Sequence, residues 1–336
     1  MDPSREIALT GLIGSRPIGA LAAYGLLRWT AEIEVLRGSA LHWKLEDDWI
    51  AVLQPPNPLT ADQLCELLLA EHARAERFPH LDWAPAGTLR VPVEDFISAA
   101  RECVAGASVA ARLLPDFFAA YGSDAVVDQK GQLRPTRLHM TSGQQQFRSL
   151  LSDLAASLKP DGRAKARQTP AALLGSVREA LFGPWTYPDS EHSLGWDPDS
   201  ERMHAMRAQA PTDDKYNKSV RFAVWLAHWA LPLLPTVAMG ARLNTTGFVE
   251  ARRERPRFRW PVWEAPIELQ TLSSLLTSAA LVGEGAALGE LERRGVAALY
   301  ESIRHEFGQG YGVLRSARLV EGGEESMPPP AQALVF

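Results

Sequence analysis

Short alternating runs and helical spacings of apolar residues succeed one another along the chain. Residues 7–12 alternate and predict a strand, which Gly11, Gly14 and Pro17 break. Residues 18–29 are apolar on nearly every face. They predict a centrally buried helix, with Ser15 as a cap and Pro17 in its first turn. Runs 32–36, 40–45 and 49–53 predict a small antiparallel meander, ended by Pro55, Pro56 and Pro58. Helices follow over 61–76, where Leu64, Leu67 and Leu68 turn inward, over 93–105 and over 113–121. A Pro- and Gly-rich connection, 79–92, precedes the second of them.

Residues 122–137 are polar and predict a hairpin turning at Gly131. At Thr141 or Ser142 a hydroxyl can cap a central helix, because it satisfies free first-turn N–H groups. Gln144, Gln145 and Gln146 fan around that first turn, and Phe147, Leu150, Leu151, Leu154 and Leu158 form its buried stripe. Further helices are predicted over 170–182, 217–231, 268–280 and 286–307. A strand pair spans 248–260 with its turn near Pro256, and 308–320 reads as extended. The sum is an α+β fold, mostly helical with small antiparallel sheets. It divides into an α+β region, 1–137, a mainly helical region carrying the basic strand pair, 138–320, and a polar, Pro-containing tail, 321–336, expected to be disordered.

A chain of 336 residues can bury a sizeable core, or two. Its net charge of −5 argues against a globally basic nucleic-acid binder but leaves room for a local basic strip. The two cysteines, Cys65 and Cys103, form neither a disulfide framework nor a zinc pattern and fit a reducing cytoplasm. The apolar run 7–27 is interrupted by Arg16, Pro17 and glycines, so it reads as strand and helix rather than as a membrane span. No G-x-S-x-G elbow, H-E-x-x-H pair, phosphate loop or dinucleotide fingerprint occurs, and no cofactor or catalytic set is expected.

Three polar groupings remain. Asp197, Asp199 and Glu201 sit on an Asp-Pro turn and can hold a hard cation, as can His80 with Asp82; a solvated turn has the same composition. The loop 159–167 gathers Lys159, Arg163, Lys165 and Arg167, either as a basic contact or as a solvated linker. Basic residues interleave with aromatics from Arg252 to Trp263. Strand alternation puts Arg253, Arg255, Arg257 and Arg259 on one side, where guanidinium groups fork onto phosphates and Phe258 and Trp260 offer stacking faces. A charged edge strand has the same pattern. Trp196, beside the rigid Asp-Pro turn, is expected to pack under the start of the Gln144–Gln145 helix.

The order of landmarks is also distinctive. Gly-Ser-Arg-Pro-Ile-Gly-Ala-Leu-Ala-Ala-Tyr-Gly-Leu-Leu-Arg (14–28) comes first, then Thr-Ser-Gly-Gln-Gln-Gln-Phe (141–147) and Gly-Trp-Asp-Pro (195–198) with Arg202. Leu-Asn-Thr-Thr-Gly-Phe (243–248) and Phe-Arg-Trp-Pro-Val-Trp-Glu (258–264) follow. Over residues 7–315 this series resembles the CRISPR-associated proteins of the type I-G effector group, formerly I-U, and within it the large-subunit-like component of the Dpsyc subtype. The resemblance implies a non-enzymatic, cytoplasmic subunit of an RNA-guided antiviral surveillance complex. Its implied partners are the backbone and cap subunits, CRISPR RNA, target DNA and a separate helicase–nuclease, with no membrane. On the residues alone, two other classes stay open: a metal-dependent nuclease or hydrolase using Asp197, Asp199 and Glu201, and a purely structural scaffold. Within the first class, the nucleic-acid contacts would fall on Arg253, Arg255, Arg257, Arg259, Trp260, Lys159, Lys165, Arg167, Gln144 and Gln145.

Overall fold

The computed structural model describes residues 5–76, 78–85, 87–105, 113–141, 146–160, 169–200, 218–250, 254–283, 287–307 and 311–321. The chain begins with β1 (Ile7–Ile13) and α1 (Pro17–Thr30), followed by β2 (Ala40–Leu45), β3 (Trp49–Gln54), α2 (Ala61–Arg74), α3 (Val93–Ala105) and α4 (Leu113–Tyr121). The hairpin β4 (Gly122–Val127) and β5 (Leu133–Pro135) leads to α5 (Phe147–Ser157), α6 (Pro170–Phe182) and α7 (Arg221–Trp229). A second hairpin, β6 (Thr236–Met239) and β7 (Arg242–Thr245), precedes β8 (Phe248–Val249), β9 (Arg257–Trp263) and β10 (Ile267–Glu268). Helices α8 (Leu269–Leu276), α9 (Ala279–Val282) and α10 (Leu288–Arg293) then give way to β11 (Val296–Glu306), β12 (Gly312–Leu314) and β13 (Arg318–Leu319). This is an α+β fold with small antiparallel sheets and no closed barrel. Among the described residues no helix is long and apolar enough to cross a membrane.

All fourteen residues of α1 are buried, as its all-round apolar pattern predicts. One side packs along α7, the most extensive helix pairing in the molecule. There Gly25 meets the backbone of Leu226 so closely that a Cβ would overlap the Leu226 carbonyl oxygen. The other side carries Tyr24, whose hydroxyl donates to the Pro261 carbonyl at 2.5 Å and whose ring stacks on Trp263. Thus α1 touches both larger sheets. One has the order β1-β3-β2-β10, and the other runs β12-β11-β9-β8, with β13 also on β11. Trp263 ties them by donating Nε1–H to Leu41 O of β2. A single apolar cluster runs from Ile7 to Leu314, so regions 1–137 and 138–320 share one core.

Several elements differ from the sequence reading. Residues 32–36 hold a 3-10 turn, Glu34–Leu36, and the meander takes β1 instead, paired to β3. The central helix starts at Phe147 rather than Thr141. The Thr141 side chain is buried without a hydrogen bond, and its neighbour Met140 accepts from Gly312 N. The helix expected over 268–280 divides at Ser278, whose hydroxyl caps α9 by accepting from Ala280 N. The helix expected over 286–307 ends at Arg293. Gly295, at φ 87°, turns the chain into the eleven-residue strand β11, which pairs with β9 along its length. Residues 322–336, expected to be a disordered tail, lie outside the described residues.

Gly25→Ala should therefore cost about 3 kcal/mol or more, since neither helix backbone can yield without moving a packed core. Gly175→Ala, in exposed α6 with open space around it, should gain roughly 0.5–1 kcal/mol. Urea melts of the two variants side by side check the contrast; equal midpoints would mean the helices are not in backbone contact.

Candidate functional site

The arginine strip does not lie on one open face. Arg253 is outside the described residues. Arg255 is exposed and donates to His305 Nδ1 at 2.7 Å. Arg257 is half-buried, paired to Glu254 and 3.4 Å from Glu301. Arg259, only 4% exposed, donates to Glu301 Oε2 at 2.9 Å and to Gly283 O at 2.8 Å. Trp260 is fully buried, and its Nε1–H bonds Gly14 O at 2.7 Å. The expectation that Arg259 and Trp260 face a ligand is corrected for a topological reason. β9 is an inner strand, flanked by β11 and β8, and Phe258 to Trp263 are buried on both faces.

Opposite Arg259 in register stands Glu301 of β11, a buried carboxylate that also receives two hydrogen bonds from Arg318. Burial alone would raise the Glu301 carboxyl, but hydrogen bonds from Arg259 and Arg318 and the charge of Arg257 outweigh it and hold the group below its ordinary value. The four side chains form an internal ion cluster. Removing one partner from such a cluster strands the rest, so Arg259→Ala should cost about 3 kcal/mol, with the paired change Arg259→Leu and Glu301→Leu recovering much of it. Thermal melts decide this; an external binding strip would leave the Arg259→Ala midpoint where it was.

Other sequence candidates are also occupied by the fold. Lys159 donates to Ala75 O, closing the C-terminus of α2, and lies 5.5 Å from the Phe78 ring centroid. Lys165, Arg167, Gln144, Gln145 and Glu201 fall outside the described residues. Trp196 is fully buried; it donates to Leu138 O at 2.9 Å and meets Phe147 edge-on at 6.1 Å, so it packs under the start of α5. Asp197 closes its turn by accepting from Asp199 N at 3.0 Å, and Asp199 is 3.2 Å from Arg16. His80 stacks on Phe117 at 3.8 Å. Among the described residues no three His, Cys, Asp or Glu side chains are grouped to hold a metal.

The five sequence landmarks meet in space. Gly14 and Arg16 touch Trp260 and Asp199, Trp196 touches Phe147, and Gly247 O accepts from Arg259 N at 2.7 Å. Thr245 Oγ1 accepts from Arg137 N at 3.0 Å. Sequence reasoning missed three further buried arginines that brace this frame. Arg148 donates to the carbonyls of Leu81, Trp83, Pro85 and Thr88 and covers the Trp83 ring at 3.5 Å. Arg221 reaches Ser176 and Ser157 O and lies 3.4 Å from Asp189. Arg304 bonds Arg137 O and His139 O. Their only signal was a cation inside an apolar pattern.

One polar cluster does reach the surface, and it was also missed. His305, bonded to Arg255, meets Phe307 edge-on at 4.7 Å, and Arg315 lies 5.5 Å from the Phe307 centroid. Arg255 and Arg315 are exposed, while His305 and Phe307 are half-buried. Burial, then the charges of Arg315 and Arg255, lowers the His305 pKa. No protein-family model, no curated protein and no solved structure matches the chain.

The buried acids give the fold a pH signature. Burial raises Asp197 and Asp189 to about 6. A carboxyl raised in the fold contributes stability that is complete below about 3.8 and lost as pH rises through about 6. The buried histidines act in the other sense: burial lowers His72 to about 4 and His80 and His139 to about 3, so the fold loses stability as pH falls below 6.5. Asp197→Asn, which keeps the turn-closing oxygen, should therefore be more stabilising at pH 7.5 than at pH 4.5, by on the order of 2 kcal/mol. Urea titrations at the two pH values measure it; an equal effect at both would mean that Asp197 titrates normally.

Proposed function

We propose that the chain is a non-catalytic subunit of a type I CRISPR-RNA-guided antiviral surveillance complex, contacting CRISPR RNA or target DNA and its neighbouring subunits in the cytoplasm. A separate helicase–nuclease supplies the chemistry. The reading rests on the ordered series of landmarks that resembles the type I-G large-subunit-like component. The observation that carries it is that these landmarks converge and spend their polar groups on one another: Arg16 on Asp199, Trp260 on Gly14, Trp196 on Leu138, Arg259 on Glu301. Residues used in this way specify a rigid shape for docking, whereas a hydrolytic site needs a nucleophile, a base and a charge stabiliser converging on open space. The metal-dependent nuclease reading has less support, because Asp197 and Asp199 are engaged in a turn bond and an ion pair.

Co-expression with the proteins encoded beside it should give a complex that contains this chain and a bound small RNA. The isolated chain should cleave neither DNA nor RNA with added divalent metal. Metal-dependent cleavage lost on Asp197→Ala would overturn the proposal in favour of a nuclease. A complex that assembles equally well without this chain would overturn it in favour of neither.

A further inference from the structure

Ile303 and His305 of β11, with Phe307 just beyond it, recur every second residue, and all three are exposed or half-buried while Ser302 and Arg304 between them are buried. The strand thus presents a short apolar and aromatic row to solvent. Arg255 bounds the row on one side, donating to His305 Nδ1, and Arg315 bounds it on the other, over the Phe307 ring. The backbone fixes both cations: Arg304 N bonds Pro256 O at 2.8 Å beside Arg255, and Arg315 N bonds Ile303 O at 3.0 Å. Phe307 N bonds Tyr311 O at 2.8 Å, which holds the ring at the end of the row.

The nearby acids are engaged elsewhere. Glu254 pairs with Arg257, and Glu306 pairs with Arg304. Among the described residues Arg255 has no ion-pair partner, and its bond to His305 uses one of five N–H donors. Because a guanidinium can only donate, His305 Nδ1 must accept, which leaves its proton on Nε2. The surface therefore offers forked cationic donors on both sides of ring faces, on a chain whose overall charge is −5. Phosphates with bases between them match that alternation; a carboxylate-rich peptide matches the cations but leaves the rings unused.

We infer that Arg255, His305, Phe307 and Arg315 form a contact for single-stranded nucleic acid, with phosphates on the two arginines and a base against the Phe307 and His305 rings. The inference rests on the proposed function and places its nucleic-acid contact at a site the arginine strip only brushed. Each arginine releases counterions from one phosphate. The log–log salt dependence of binding should then carry about 0.7 units of slope from each.

The test is fluorescence anisotropy on the full chain with a labelled single-stranded RNA or DNA of about fifteen nucleotides, titrated over a range of salt. The double variant Arg255→Gln, Arg315→Gln alters only exposed side chains and should keep its melting curve. It should bind at least tenfold more weakly at low salt, with a slope smaller by about 1.4. In the wild-type chain, the His305 pKa read by NMR of histidine-labelled protein should rise when oligonucleotide is added, because phosphate offsets the two guanidiniums. Unchanged affinity, slope and His305 titration overturn the contact and leave the proposed function standing. A double variant that keeps oligonucleotide binding but no longer joins its protein neighbours also overturns it and makes the patch a protein interface. A wild-type chain that binds no single strand, either alone or within its assembled complex, overturns both.

Discussion

The backbone contact between α1 and α7 at Gly25 is the constraint around which the molecule is built. A helix buried over its whole circumference has no solvent face, so each side must meet another element of matching shape. Gly25 lets α7 approach on one side. On the other, Tyr24 reaches the carbonyl of Pro261, and Trp43 and Trp263 pack around its ring. Segments distant in sequence are thereby placed before any functional surface is formed. Leu226 lies far from Tyr24 along the chain, and Pro261 farther still, yet both are fixed by one turn of α1.

Around that centre the loops are held by buried arginines rather than by regular ladders. Arg148 collects four carbonyls from the stretch between Leu81 and Thr88, which has no strand partner of its own among the described residues. Burial lowers its pKa only to about 10, so it remains charged at neutral pH. A buried cation is costly unless its donors are satisfied, and carbonyl dipoles satisfy them here. The net gain from such a group is small, but its geometric demand is strict: only one loop conformation presents four carbonyls to one guanidinium. Arg221, Arg259 and Arg304 act in the same way at other seams, adding carboxylates or hydroxyls where they are near. These arginines fix which compact arrangement is adopted more than how stable it is.

The fold was legible where periodicity decides it. The helices Val93–Ala105, Leu113–Tyr121 and Pro170–Phe182 have the bounds their apolar spacing gave. It was not legible where a partner decides it. Residues 296–306 are rich in Ala, Leu, Glu and Arg, all acceptable in a helix, and only pairing with β9 makes them a strand. The N-terminal signal at Thr141 misled for a similar reason, since residue 140 is drawn into contact with Gly312 and the helix must wait for Phe147. The candidate site was legible in part: Trp196 packs where its size and its rigid turn put it, while the cluster at His305 joins residues from three separate stretches that no local pattern connects.

Arg255 and Arg259 show the limit of alternation as an argument. Both belong to the same extended run, and alternation places them on the same side. It says nothing of what covers that side. At Arg259 the sheet is complete: β11 supplies Glu301, and the carbonyl of Gly283 closes over the guanidinium. At Arg255 the strand has not yet begun, no carboxylate pairs with it, and its nearest partner is a half-exposed imidazole. The same residue type is thus structural at one end of the run and available to a ligand at the other. What separates the two is depth within the sheet, set by β8 and β11 on either side of β9. A charge pattern read from sequence locates a basic strand; the neighbours of that strand determine which of its charges face outward, and here they leave Arg255 to the surface and take Arg259 into the core.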